Sequence, residues 1–122
     1  MPASGLVIQQ IQGATVVNFR DVSILDGSSV EVIAKELYSL VDQQALRKII
    51  LDFTQVRFLS SSMIGVLLNL YKKSQAIKGR IVVCGLRSEL YKVFKIMRLE
   101  HLLTFADNEH DALRALDIAP QG

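Results

Sequence analysis

Residues 58–71, FLSSSMIGVLLNLY, set three consecutive hydroxyls, Ser60, Ser61 and Ser62, against the apolar start of the next segment. A serine hydroxyl can cap a helix, attack a carbonyl when a base removes its proton, or receive a phosphoryl group. Capping uses one hydroxyl and leaves two to explain. Attack on a carbonyl calls for a G-x-S-x-G elbow between strand and helix, with a histidine in reach. LSSSMIG lacks the first glycine, and the only histidines, His101 and His110, come late in the chain.

The other reactive side chains offer less. Neither histidine has a cysteine or carboxylate at ligand spacing, so no metal site is expected. The single cysteine, Cys84, cannot form an internal disulfide and sits in the run IVVCG, which makes it a buried structural thiol. The chain has neither a Walker pattern nor a G-x-G-x-x-G loop, and GLR after RIVVC is too short to cradle a pyrophosphate. No cofactor is expected; a weak nucleotide contact at a helix N-terminus stays open, since such termini attract anions generally. Lys92, Lys95 and Arg98 form a basic row without interleaved aromatics, which reads as a solvated helix face and not a nucleic-acid platform.

The elements that would position the serines follow from the hydrophobic period. LVIQQI (6–11) and ATVVNF (14–19) are β-branched segments around Gln12 and Gly13, a hairpin pattern. Val30, Ile33, Ala34, Leu37, Leu40 and Val41 recur at helical spacing, predicting an amphipathic helix from Ser28 to about Gln44. KIILDF (48–53) and RIVVCG (80–85) are apolar on consecutive positions, as in strands covered on both faces of a parallel sheet. TQVRFL reads as a short connection. A helix is predicted over 61–76, apolar almost all round in its first half and stopped by Gly79. LRSELYKVFKIMRLE predicts a third helix, with Leu90, Val93, Phe94 and Met97 on one face. LLTF (102–105) is a short strand candidate, and a last helix capped by Asp107 or Asn108 turns Ala112, Leu113 and Leu116 inward.

The order β-β-α-β-α-β-α-β-α predicts an α/β fold: a mixed, mostly parallel sheet with four helices. With 122 residues, 50% of them apolar, the chain suits one domain, taken as 1–118 with 119–122 as a frayed end. A formal net charge of +2 recruits neither nucleic acid nor an anionic membrane. There is no run of about 20 apolar residues to enter a bilayer and no signal-peptide pattern at MPASGLVIQQ, so a cytoplasmic protein without membrane insertion is expected.

The segment LRKIILDFTQVRFLSSSMIGVLLNLYKKSQAIKGRIVVCGL resembles the core of STAS domains, the fold of bacterial anti-sigma-factor antagonists. That family carries an apolar strand ending in a D-F-like pair, a V-x-F-[Leu or Met] link, an Asp-Ser-Ser/Thr-Gly-Leu-Gly motif, a helix and a further apolar strand. Matching Gly65 to the motif's second glycine puts Ser61 at the family's phosphoacceptor serine and Ser62 at the next hydroxyl residue. Ser60 replaces the usual aspartate and Met63 the first glycine, which leaves Ser60 and Ser62 as alternative acceptors. Asp26, in SILDGSSVEVIAKEL, corresponds to an aspartate of the family's loop before the first helix.

The resemblance implies a non-enzymatic binding module that sequesters an anti-sigma factor or serine protein kinase and is switched off by serine phosphorylation. Its partner surface would include Asp26, Ser60, Ser62, Met63 and Leu67. The alternative within the same fold is a non-phosphorylated subunit of a transporter or sensory assembly, and a further class is a small enzyme with Ser61 as nucleophile.

Overall fold

The computed structural model describes residues 6–20, 23–24 and 27–116. Strands β1 (Leu6–Ile11) and β2 (Ala14–Phe19) form an antiparallel hairpin. Its turn holds Gln12 at φ 52° and Gly13 at φ 88°, so both central residues take the left-handed backbone that a tight hairpin of this hand requires. The short strand β3 (Ser23–Ile24) leads to helix α1 (Gly27–Asp42), and β4 (Lys48–Asp52) leads through β5 (Phe58–Leu59) to α2 (Ser61–Ala76). Strand β6 (Arg80–Cys84), helix α3 (Ser88–Ile96), a 3-10 turn at Leu99–His101, strand β7 (Thr104–Ala106) and helix α4 (Glu109–Ala115) complete the order.

The main sheet runs β1-β2-β4-β6-β7, with every pairing after the hairpin parallel. KIILD therefore occupies the central strand. Alternate residues divide between two cores. Val17, Phe19, Ile49, Leu51, Ile81 and Val83 meet α1, α2 and α3 on one face, while Ala14, Val16, Ile50, Val82 and Cys84 meet α4 alone on the other. Burial on both faces explains why β4 and β6 read as unbroken apolar runs.

Several elements differ in detail from the expectation. The segment read as the connection TQVRFL contains β5, which pairs in parallel with β3, Ser23 opposite Phe58 and Ile24 opposite Leu59. Two residues are too short to carry an alternating pattern. The last strand, Thr104–Ala106, starts two residues later than LLTF and ends one residue later, because Leu102 and Leu103 close the 3-10 turn by donating their N–H groups to the Leu99 carbonyl. Helix α2 is ended by Lys78, at φ 59°, rather than by Gly79. Gly79 answers a packing need: a Cβ there would lie 2.6 Å from Ser74 Oγ and 2.9 Å from the Arg47 carbonyl oxygen. The expected frayed end, 119–122, lies outside the described residues.

Candidate functional site

The chain reaches the three serines by an anchored path. At the end of β4 the Thr54 N–H and hydroxyl both donate to Asp52 Oδ1, at 2.9 and 2.5 Å. Phe53 N–H donates to the Cys84 carbonyl and Val56 N–H to the Phe53 carbonyl, each at 2.9 Å. Phe53 and Val56 are fully buried. Backbone bonds and two buried side chains thus fix a segment with little regular structure, and β5 delivers it to α2.

Ser60 is the N-cap of α2. Its backbone is extended (φ −78°, ψ 160°), and its Oγ accepts the Met63 N–H at 3.1 Å. Its carbonyl accepts the Ile64 N–H at 3.2 Å. Ser61 and Ser62 are the first two helical residues, both exposed, and their hydroxyls make no hydrogen bond to another described residue. The first turn of α2 contains no acidic residue. Ser60 is consumed by capping, while Ser61 and Ser62 stand in solvent at the positive end of a helix dipole.

Gly65 lies one turn on from Ser61 and Ser62, and a Cβ there would meet nothing within 4 Å. Neither packing nor backbone angle in this fold demands a glycine. It leaves a low, bare stretch of helix beside the two exposed hydroxyls, where another chain could approach closely.

Met63 and Leu67 require a correction. Expected on the partner surface, they are 0% and 1% exposed and belong to the core with Ile64, Val66 and Leu70. Met63, Leu67, Leu70 and Ser74 follow the 3.6-residue period and form the inward stripe of α2. The outer stripe is Ser61, Ser62, Gly65, Asn69 and Lys72, with Leu68 half-buried. Glycine and serine on that stripe carry no charge and little bulk, so the first half of the helix reads as apolar almost all round. Asp26 lies outside the described residues; before it, Ile24 is paired with Leu59.

No histidine is brought to Ser61. His110 is in α4, on the opposite face of the sheet from α2, and His101 Nε2 lies 3.2 Å from Glu100 Oε1. Among the described residues no three His, Cys, Asp or Glu side chains gather as a metal site.

A feature with no sequence signal is the pair Asp52 and Glu109, 57 positions apart and joined by a side-chain hydrogen bond. That bond, burial and the Asp52 charge together push the Glu109 carboxyl up to about 7. Burial raises Asp52, but hydrogen bonds from Glu109 and from the Thr54 hydroxyl and N–H outweigh it and hold the group below its ordinary value. The proton of the pair therefore resides on Glu109, which donates to Asp52. Burial, with the charges of Asp52 and Glu109, pushes the nearby Cys84 thiol to about 12. Such a thiol is inert near neutral pH.

The STAS domain model matches residues 6–112. The anti-sigma F factor antagonist of Paenibacillus polymyxa is 23% identical over 94 residues, 77% of this chain and 80% of that protein. The Bacillus cell fate determinant SpoIIAA, in a structure of its phosphorylated form, superposes with a TM-score of 0.71 at 23% identity, covering 91% of this chain and 98% of that one. The murine anion transporter Slc26a9 superposes with a TM-score of 0.73 at 17% identity, covering 91% of this chain and 19% of the transporter. The two superpositions establish likeness of fold. Among the described residues no helix is long and apolar enough to cross a membrane.

Proposed function

The chain belongs to the STAS domain family, whose members serve as regulatory binding modules, and from that premise we propose that it is an anti-sigma-factor antagonist switched by phosphorylation of Ser61. One observation carries the reading. Ser60 alone caps α2, so Ser61 and Ser62 remain exposed at a helix N-terminus without acidic residues in its first turn. A phosphoryl group on Ser61 adds about −1.5 to −2 charge where backbone N–H groups and the helix dipole tolerate it. The fold survives and the surface changes sign. A partner packed against the Gly65 ledge would then meet a dianion that it must desolvate, and the complex weakens.

In this reading the partner is an anti-sigma factor with serine kinase activity, bound by the unmodified chain and released by the modified one. Ser62 shares the exposure of Ser61, whereas Ser60 is a poorer acceptor because its hydroxyl oxygen already takes the Met63 N–H. The test is incubation with ATP and an anti-sigma-factor serine kinase from the same organism, followed by mass spectrometric location of the phosphate. Expected are one phosphate at Ser61, none in Ser61→Ala, and weaker binding of Ser61→Asp. An unmodified 60–62 segment, with full binding by Ser61→Asp, overturns the switch. The likeness to the STAS portion of an anion transporter favours a second reading, a subunit of a transport assembly. Capture of transporter subunits instead of a kinase by the tagged chain would select it.

A further inference from the structure

The exposed large apolar side chains among the described residues are, apart from Val32, confined to β5, α3 and the turn after α3. Phe58 is 56% exposed, Val93 40%, Met97 46% and Ile96 82%. Phe58 and Val93 line one groove of about 510 Å³ between β5 and α3, floored by Leu59 and Leu90 and flanked by Arg57 and Arg87. Leu90, Val93 and Met97 follow the helical period, so one apolar stripe runs out of the groove along α3, with Ile96 beside it. The charges around the stripe are unbalanced. Two exposed cations, Arg57 and Arg87, line the groove against one acid, Glu89, whose carboxyl is lowered by hydrogen bonding to Ser88 and by the nearby Arg87 and Lys92 charges.

We propose that this groove seats an acidic, apolar-faced helix of a partner protein, a proposal that rests on the antagonist reading and identifies the chemistry of the partner's docking element. The apolar stripe matches anchors at helical spacing, and Arg57 and Arg87 match carboxylates on the flank of the same helix. A nucleic acid would use the cations but leave Phe58, Val93 and Ile96 unburied. The groove is also close along the chain to the serine-led end of α2, because Phe58 and Leu59, which line it, directly precede Ser60. Ser61 is three residues from Phe58, at most roughly 10 Å along the chain, about one Debye length at 0.1 M salt. A phosphate on Ser61 would therefore repel the acidic helix in the groove as well as obstruct the Gly65 ledge. Partner release and phosphorylation are linked by like charge.

The experiment uses the full chain, uniformly ¹⁵N-labelled, with a fluorescein-labelled amphipathic Glu/Leu peptide of about 18 residues, long enough for a stable amphipathic face. A Lys/Leu peptide of the same pattern and phosphatidylglycerol vesicles are the competitors. Expected are amide shifts centred on residues 57–59 and 87–97, at least about tenfold preference for the acidic peptide, and at least about tenfold weaker binding by the double variant Arg57→Glu/Arg87→Glu. Phe58→Ala should weaken binding without reducing its salt dependence. Both variants are surface changes, and amide-shift dispersion verifies their folds. Shifts elsewhere, equal affinity for the two peptides, or preference for the vesicles overturns the proposal. A cognate kinase that binds wild type and the double variant equally overturns it too. A chain that takes the acidic peptide but binds no serine kinase supports the groove and overturns the antagonist reading.

Discussion

Helices α2 and α4 begin with the same device and use it differently. Ser60 accepts the Met63 N–H at 3.1 Å, and Asn108 accepts the Asp111 N–H at 2.8 Å. After its cap, α4 places Glu109 and Asp111 in the first turn, and Glu109 is tied to Asp52 of the central strand. After its cap, α2 places two neutral serines in solvent. The end of α4 already holds negative charge and is fastened to the sheet, so it has a structural role. The end of α2 is fastened from within, by Met63 and Leu67, and its outer side keeps the dipole available to an added anion. A helix terminus is suited to the switch proposed for α2 when its docking and its charge are supplied by different residues.

The largest expected effect tests the inner side of α2. Met63→Ala and Leu51→Ala should each cost about 2 to 5 kcal/mol in urea unfolding, through lost burial and the cavity left behind. A cost well below 1 kcal/mol for Met63→Ala would return that side chain to the surface and break the distinction between inner and outer stripes. The caps come next. Ser60→Ala and Asn108→Ala should each lose about 1 kcal/mol, since each removes one hydrogen bond to the helix start. If Ser60→Ala were neutral, a neighbouring serine would be capping, and the assignment of free hydroxyls would have to be exchanged.

Gly65→Ala separates folding from binding. With open space for the methyl group it should gain about 0.5 to 1 kcal/mol of stability through helix propensity, while weakening the partner complex. Equal binding by wild type and variant would show that no chain approaches the ledge.

The smallest effect concerns α4 and pH. Glu109 titrates at about 7 in the folded chain against an ordinary 4.5, so from about pH 4.5 to 7 the folded state holds a proton that the unfolded state has lost. Stability from this group is complete below about 4.5 and declines as pH rises through 7. Asp52 has the opposite sign, its lowered value giving stability that is lost as pH falls below its ordinary range. The partial exposure of Glu109 keeps its effect under about 1 kcal/mol. Glu109→Gln, which still donates to Asp52, should flatten the decline between pH 4.5 and 7 in denaturation midpoints. An unchanged slope would remove the proton from the pair.

The fold was legible wherever burial imposes a period. Runs such as KIILD and RIVVC are covered on both faces, and the α1 stripe from Val30 to Val41 leaves little choice of conformation. The serines were legible as the start of a helix, since three hydroxyls before Met63 and Ile64 match the chemistry of a cap. Strand β5 was not legible, because two residues hold no period and its pairing to β3 is a contact across 35 positions. The choice of face for Met63 and Leu67 was poorly legible, because an apolar helix beginning with small residues looks much the same all round.

The sequence by itself determined an α/β chain with a mixed sheet, four helices and a serine-led helix, since side-chain size, period and capping chemistry act over a few residues. Only the tertiary structure decided which serine is the cap, that Met63 and Leu67 lie beneath the site, and that Asp52 shares a proton with Glu109. It also placed Phe58 and Val93 in one groove. The cap is a bond between residues three apart whose choice among equivalent hydroxyls is set by where the helix starts, and the others depend on how distant segments meet at the sheet. Their energies are set by burial and proximity, which spacing along the chain does not encode.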